Sequence, residues 1–277
     1  MLDIRQTPEY AGYLSNIGWI VERKNQVNYF VRKFPVIGSV LKIQRPKTID
    51  DRVIRALCKK YRVFQIILEP DLSSSRGSFH IDSYYHHEFR LSKSPYLPSK
   101  TLQLNLDASI KQIEKTIKKD ARLAIKKNRQ VRIVSYKMAE INEFRNAWTK
   151  SVGMKRYVSP LTHLLALKKS FGKKSLFITD ENKNGGAIFL RTKDTCYYWQ
   201  AFTNELGRKR QTQYKVVWEG ILWAKRNKCK LFDFEGIYDE RFPNKSWLGF
   251  SHFKKSFGGK EIEYPGCYTK TNLLNNI

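Results

Sequence analysis

Residues 231–268 read LFDFEGIYDERFPNKSWLGFSHFKKSFGGKEIEYPGCY. Three patterns follow one another in this stretch. Residues 231–235 alternate apolar and acidic side chains and stop at Gly236. The alternation predicts a strand with Phe232 and Phe234 on one face and Asp233 and Glu235 on the other. Open sheets receive ligands at the carboxyl ends of their strands, which makes Asp233 a candidate substrate contact. A plain solvated strand end is the alternative. Residues 247–250 predict an aromatic turn and short helix, and Phe253-Lys254-Lys255-Ser256-Phe257 then runs into Gly258-Gly259. That glycine pair permits a tight backbone turn, after which 261–264 reads as a short strand before Pro265-Gly266.

Working outward, a helix over 213–228 packs Tyr214, Val217, Trp218, Ile221 and Leu222 on one face and leads into this strand. Before it, strands over 175–179, 186–191 and 195–202 form a meander. The first half repeats the order: strands over 19–24, 27–34 and 40–45, a helix over 50–60, and a buried strand over 63–68. Residues 59–69, KKYRVFQIILE, echo 225–235, KRNKCKLFDFE, and each follows an amphipathic helix. One supersecondary unit used twice explains this more simply than one large irregular domain. The expected division is 1–136 and 137–265, with the tail 266–277 packing back on the first domain. Between the halves come a loop at 71–78, a strand over 101–106 and a basic helix over 107–130, capped by Asp107. Its apolar face is Ile110, Ile113, Ile117, Ala121 and Ala124. A strand over 131–136 and helices over 139–152 and 160–171 complete the pattern.

Fifty-two Lys and Arg against 25 Asp and Glu leave the 277 residues with a net charge of +27. Such a field attracts polyanions, whether nucleic acid, an anionic membrane surface or phosphorylated substrates. Hydrophobic residues at 41% and aromatics at 13% exclude a disordered tail. No apolar run reaches the ~20 residues of a membrane span, and the start MLDIRQTPEYAGY lacks the pattern of a signal peptide. Cys58, Cys196, Cys229 and Cys267 are scattered without metal-ligand spacing, which fits a reducing compartment, the cytoplasm. Adjacent His86 and His87 point opposite ways on a strand and have no partner at ligand spacing, so no metal is expected.

Three segments together resemble the FemABX family, the peptidoglycan interpeptide-bridge aminoacyltransferases. They are Asp233-Phe234-Glu235-Gly236-Ile237, the run from Gly249-Phe250 through Phe253-Lys254-Lys255-Ser256-Phe257-Gly258-Gly259, and Tyr264-Pro265-Gly266-Cys267-Tyr268. The resemblance implies an α/β fold of two tandem domains with acetyltransferase-like (GNAT) topology, each a mixed sheet flanked by helices. It implies aminoacyl-tRNA as co-substrate and a UDP-linked or lipid-linked muramyl peptide as acceptor. It also leaves room for peripheral contact with an anionic membrane by a monomeric enzyme.

The resemblance also assigns residues. Lys254, after Phe253 in the family's Phe-Lys motif, is the expected catalytic cation for the oxyanion of acyl transfer or for the tRNA 3′ end. Arg210 and Tyr214, four apart, match an Arg-x-x-x-Tyr pair that contacts the acceptor. Lys33 matches a basic residue that binds acceptor phosphate, and Glu69 an acid-proline pair near the incoming amine. Lys118, Lys119, Lys126 and Lys127 fall in a helix that is basic in the family also, which makes them candidate tRNA contacts. Coenzyme A, which a GNAT unit suggests, needs a glycine-rich turn at a helix start. Residues 204–212, NELGRKRQT, offer one glycine among three cations, so no CoA is expected. Two alternatives stay open: a nucleic-acid-binding module on an inactive GNAT-like scaffold, and a FemAB-like N-acyltransferase for a different amine.

Overall fold

The computed structural model describes residues 1–71, 88–153 and 156–271. The expected loop at 71–78, apart from Asp71, and the His86-His87 pair lie outside these residues. The strands are β1 (Ile20–Lys24), β2 (Val27–Phe34), β3 (Gly38–Gln44), β4 (Val63–Glu69), β5 (Arg90–Leu91), β6 (Lys100–Asn105), β7 (Ile133–Ser135), β8 (Ser175–Asp180), β9 (Gly185–Arg191), β10 (Thr195–Thr203), β11 (Leu231–Gly236), β12 (Lys260–Glu263) and β13 (Tyr268–Thr271). They form a six-stranded sheet ordered β1-β2-β3-β4-β13-β5 and a seven-stranded sheet ordered β12-β6-β11-β10-β9-β8-β7. The helices are α1 (Pro8–Asn16), α2 (Asp51–Tyr61), α3 (Ile110–Thr116), α4 (Lys119–Lys127), α5 (Ile141–Val152), α6 (Leu161–Phe171), α7 (Glu205–Arg210), α8 (Thr212–Arg226) and α9 (Leu248–Lys255).

The two echoing segments occupy equivalent places. In one sheet α2 connects β3 to a parallel β4, and in the other α8 precedes β11, which runs parallel to β10. Both sheets are mixed, as the alternating hairpins and crossover helices of the sequence require.

The chain divides into two compact units at a different point from the sequence expectation of 1–136 and 137–265. One unit takes Met1, Thr101–Tyr238 and Asn244–Ile262, and the other Leu2–Lys100, Asp239–Pro243 and the described residues after 262. The reason lies in strand pairing: β6 is antiparallel to β11, with Leu231 opposite Asn105 and Phe232 opposite Leu104. A partner some 130 positions away leaves no local trace in the sequence. The tail strand β13 pairs with β4 in the six-stranded sheet.

One expected helix is interrupted, and one expected turn is itself helical. The basic helix over 107–130 breaks at Ile117, which is extended (φ −72°, ψ 133°) and fully buried, so it becomes α3 and α4. Its N-cap is Ser109, reciprocated by Gln112 in a capping box, and not Asp107. The expected turn over 204–212 contains the short helix α7, which Gln211, with φ +59°, separates from α8. Helix α1 was not read from the sequence, although Thr7 as N-cap and Pro8 at the first position signal it.

The seven-stranded core gathers Phe189, Tyr198, Val216, Val217, Ile221, Phe232, Phe234 and Phe257. Helix α8 crosses β9 at Gly220, where an added Cβ would sit 2.2 Å from the ring of the fully buried Phe189. Gly220→Ala therefore overpacks the core, and about 1–3 kcal/mol of destabilisation is expected, read as a drop of about 2–12 °C in the unfolding midpoint. All four cysteines are free thiols. No helix among the described residues is long and apolar enough to cross a membrane.

Candidate functional site

Strands β10 and β11 stay paired over only three positions, Thr195–Tyr197 against Leu231–Asp233. Past Tyr197, β10 bulges at Trp199 between Tyr198 and Gln200. Past Asp233, β11 slips register against β6 and resumes at Gly236 opposite Thr101. Glu235 lies in that slip with φ +58°, a left-handed conformation few non-glycine residues adopt. The sequence alternation that placed Glu235 beside Asp233 on one regular face ends here. The two parallel strands part at their carboxyl ends, the place where open sheets bind ligands. In the six-stranded sheet the equivalent pair, β3 and β4, stays in register as far as Gln44 and Glu69.

Lys254 reaches into the parting. It and Ser251, three apart on α9, form that short helix's buried face. The Ser251 hydroxyl fastens the helix, accepting from Tyr238 N and donating to Trp247 O, each at 2.6 Å. The Lys254 ammonium donates to the Gly236 carbonyl at 2.6 Å, and lies 5.0 Å from the Phe250 ring centroid and 5.8 Å from that of Tyr198. Burial pulls its pKa down to about 8, while the carboxylates of Glu235 and Asp233 support its charge. An ammonium has three donors, and the Gly236 carbonyl takes one. Lys255 points elsewhere and pairs with Glu261 at 2.5 Å.

Asp233 is buried beneath this lysine. It accepts from Thr101 Oγ1 at 2.5 Å, Gln103 Nε2 at 2.9 Å and Glu235 N at 2.7 Å. Burial pushes its pKa up to about 6, Glu235's charge adds to that, and the hydrogen bonds oppose both. Gly258 and Gly259 (φ +79° and +104°) let the chain pass close by. A Cβ on either would press on a carbonyl oxygen, that of Thr116 at 2.8 Å or of Gln103 at 2.7 Å. The Tyr198 hydroxyl, which burial holds un-ionised, accepts from Gln213 Nε2 at 2.7 Å.

Because Glu235 is the stronger of the two charges supporting the ammonium, Glu235→Gln has a defined sign. Losing the carboxylate lowers the Lys254 pKa, so the charged form disappears at lower pH. The alkaline limb of the activity profile is expected to move to lower pH. A limb that stays put would remove Lys254 as the group that sets it.

The other residues singled out in the sequence are placed as follows. Arg210 is exposed and ends α7, and Asn128 Nδ2 donates to its carbonyl at 3.0 Å. The break at Gln211 means that Arg210 and Tyr214 do not share one continuous helix face. Tyr214 packs instead on Phe253 (centroids 4.8 Å apart) and Phe257 (5.7 Å), the aromatic base of the Lys254 turn. Lys118, Lys119, Lys126 and Lys127 are exposed on α4 and its N-cap.

Lys33 and Glu69 belong to the six-stranded unit. Lys33 is exposed, 5.8 Å from the Tyr61 ring centroid. Glu69 is almost wholly buried and accepts from Gln44 Nε2 (2.9 Å) and Leu97 N (2.5 Å), which makes it a structural carboxylate within its own unit. Thr101, Gln103, Tyr198 and Gln213 were missed in the sequence. Thr101 and Gln103 carried a signal, since their period-2 spacing on a strand puts both on the face opposite Leu102 and Leu104.

Among the described residues no group of three or more His, Cys, Asp or Glu is arranged to hold a metal ion. The turn that carries the pyrophosphate of coenzyme A in GNAT units has Gly207 here. A Cβ on it would lie 2.4 Å from the Asn184 carbonyl oxygen and 2.6 Å from Thr203 Oγ1, so this glycine serves internal packing. Helix α7 fills the remainder of the turn, and the residues present do not fit a backbone cradle for that group.

No protein-family model and no curated protein sequence matches the chain. Solved structures do. FemX superposes with a TM-score of 0.80 at 11% identity, covering 98% of this chain and 92% of its own. L-PGS from Bacillus licheniformis gives a TM-score of 0.60 at 12% identity, with 97% and 87% covered. A tandem GNAT protein from the clavulanic acid biosynthesis pathway gives 0.50 at 10% identity, with 88% and 82% covered. The chain therefore has a FemABX-like fold, two mixed-sheet units of GNAT type in tandem.

Proposed function

We propose that the chain is an aminoacyltransferase that moves an amino acid from aminoacyl-tRNA to the amino group of a peptidoglycan-precursor stem peptide. One observation carries this reading: a buried ammonium, Lys254, set where β10 and β11 part, in a fold shared with FemX. Acyl transfer from an ester to an amine passes through a tetrahedral oxyanion. A preorganised cation in a water-poor site stabilises that charge more than water does. Lys254 keeps two donors for it after serving Gly236.

As the C–N bond forms and the ester C–O bond breaks, the amine loses a proton and the ribose oxygen gains one. Lys254, whose pKa lies near 8, gives its proton to the ribose oxygen and, once neutral, takes the one the amine loses. Asp233, held by Thr101 and Gln103, and Glu235 keep the ammonium charged. The same chemistry places no nucleophile on the enzyme and uses neither CoA nor metal. Arg210 is assigned to acceptor phosphate, Tyr214 and Phe253 to the wall of the acceptor site, and the α4 lysines to tRNA. The work takes place in the cytoplasm, where charged tRNA is made.

Incubating the protein with charged tRNA and a muramyl pentapeptide precursor, then weighing the product, tests the reading. A mass gain of one aminoacyl residue on the precursor is expected. Transfer to another amine but not to this one would leave the acyltransfer chemistry and replace the acceptor. The exposed α4 lysines favour a second reading, a nucleic-acid-binding module, which predicts tRNA retention with no transfer to any amine.

A further inference from the structure

The turn between β2 and β3 is built from Phe34, Pro35, Val36 and Ile37, and all four are exposed. Val36 is 96% exposed, Ile37 53% and Phe34 42%. Single exposed apolar residues are ordinary, but four in a row at a loop tip form a patch that seeks an apolar partner.

The backbone sharpens the point. Ile37 N donates to the Pro35 carbonyl at 2.9 Å, a three-residue turn in which Val36 has φ +73°. Glycine or asparagine suits that geometry, and a β-branched residue is strained in it. The chain thus spends stability to hold valine at the outermost point of the turn.

The tip is also fixed and surrounded by positive charge. Ser39, just behind it, donates from its backbone N to the Arg62 carbonyl at 3.0 Å and from its hydroxyl to the Tyr61 carbonyl at 2.5 Å. This brings the C-terminal end of α2 alongside the hairpin, with Lys59 and Arg62 exposed there and Lys33 exposed on β2 itself. Glu22 meets the C-terminal end of α2, where Lys60 (2.6 Å) and Tyr61 (2.5 Å) occupy it. No Asp or Glu occurs between Glu22 and Asp50, nor between Asp51 and Glu69.

We infer that the β2–β3 hairpin tip, Phe34–Ile37, inserts into the interface of a membrane bearing anionic phospholipid, with Lys33, Lys59 and Arg62 seated among the headgroups. Apolar insertion backed by a collar of cations is the combination that holds peripheral proteins on anionic bilayers, because either contribution alone binds weakly. Nucleic acid would use the cations and leave the strained apolar tip without a purpose.

The test is co-sedimentation of the full chain with phosphatidylcholine vesicles, with and without phosphatidylglycerol. The wild-type chain is expected to bind the anionic vesicles and not the neutral ones. Val36→Asp with Ile37→Asp should lower the partition coefficient about tenfold or more. Met138→Asp with Tyr157→Asp changes net charge equally at exposed apolar residues elsewhere, and should have only a small effect. Lys59→Glu with Arg62→Glu should cost roughly 25-fold or more, about fivefold per cation. Val36→Gly should raise the melting temperature and yet weaken vesicle binding, which shows the turn folding better as it docks less well. Equal losses from the two aspartate pairs, or undiminished binding by the tip pair, would overturn the inference. So would loss of RNA retention in the tip pair with vesicle binding intact.

Discussion

Replacing Lys254 with alanine is expected to lower kcat by about 10²–10³-fold, the scale seen when one oxyanion donor is removed. The melting temperature should barely move, because two effects offset. Burial that brings the pKa from its ordinary 10.5 to about 8 costs the folded state on the order of 3 kcal/mol at high proton occupancy. Removing the charge recovers that cost, while the Gly236 carbonyl loses its donor and a small cavity opens. A group that reduces stability and sits where the strands part fits the catalytic role proposed for it. Lys254→Arg should restore little, since a flat fork cannot enter a slot shaped by Phe250 and Tyr198 around a compact ammonium. Lys255→Ala removes only a half-exposed pair with Glu261 and should be nearly silent. If Lys255→Ala is the crippled variant, or if Lys254→Ala transfers at the wild-type rate, the proposed role of Lys254 is lost.

The stretch 231–268 disclosed this much because its signals are local. Alternation in β11, the Phe-Lys motif and the glycine pair each depend on residues a few positions apart. Helix α8 and the β8–β10 meander were legible for the same reason, through period 3.6 and period 2. The parts that escaped depend on distant partners. Ile117 breaks the basic helix so that its side chain enters the core while Lys118 N donates to the Ser256 carbonyl at 2.8 Å. Nothing within 107–130 announces Ser256. Asp233 was legible as a carboxylate at a strand end, but its holders, Thr101 and Gln103, lie 132 and 130 positions away. Glu235 reads as an ordinary strand residue until β6 imposes the register slip that turns it left-handed. Residues 204–212 read as a turn, yet 205–210 fold as α7, and Gln211 takes a left-handed φ before α8. Propensity and pattern describe what a segment can do alone, and tertiary pairing decides where it bends.

The last expected result concerns tRNA and follows from that same break. Reversing Lys118, Lys119, Lys126 and Lys127 to Glu should weaken tRNA binding by on the order of 10²–10³-fold near 0.1 M salt. The slope of log affinity against log salt should flatten by up to roughly 3 to 4 units, since each lost phosphate contact releases about one counterion fewer. The fold should survive, because the face of α4 that packs inward is Ala121 and Ala124, which the substitutions leave alone. The effects of the new charges on the helix dipole also nearly offset one another. Acidic residues suit its N-terminal end, at 118 and 119, and are unfavourable at its C-terminal end, at 126 and 127. Unchanged far-UV circular dichroism and melting temperature, measured beside the binding curves, separate a lost contact from a lost helix. The position gives the result its meaning for the reaction. Lys118 N holds the Ser256 carbonyl, two residues from Lys254, so phosphates gathered on α4 would lie beside the turn that carries the ammonium. If affinity and salt slope match the wild-type chain, tRNA does not use α4, and the acyl donor must reach Lys254 from another face of the seven-stranded unit.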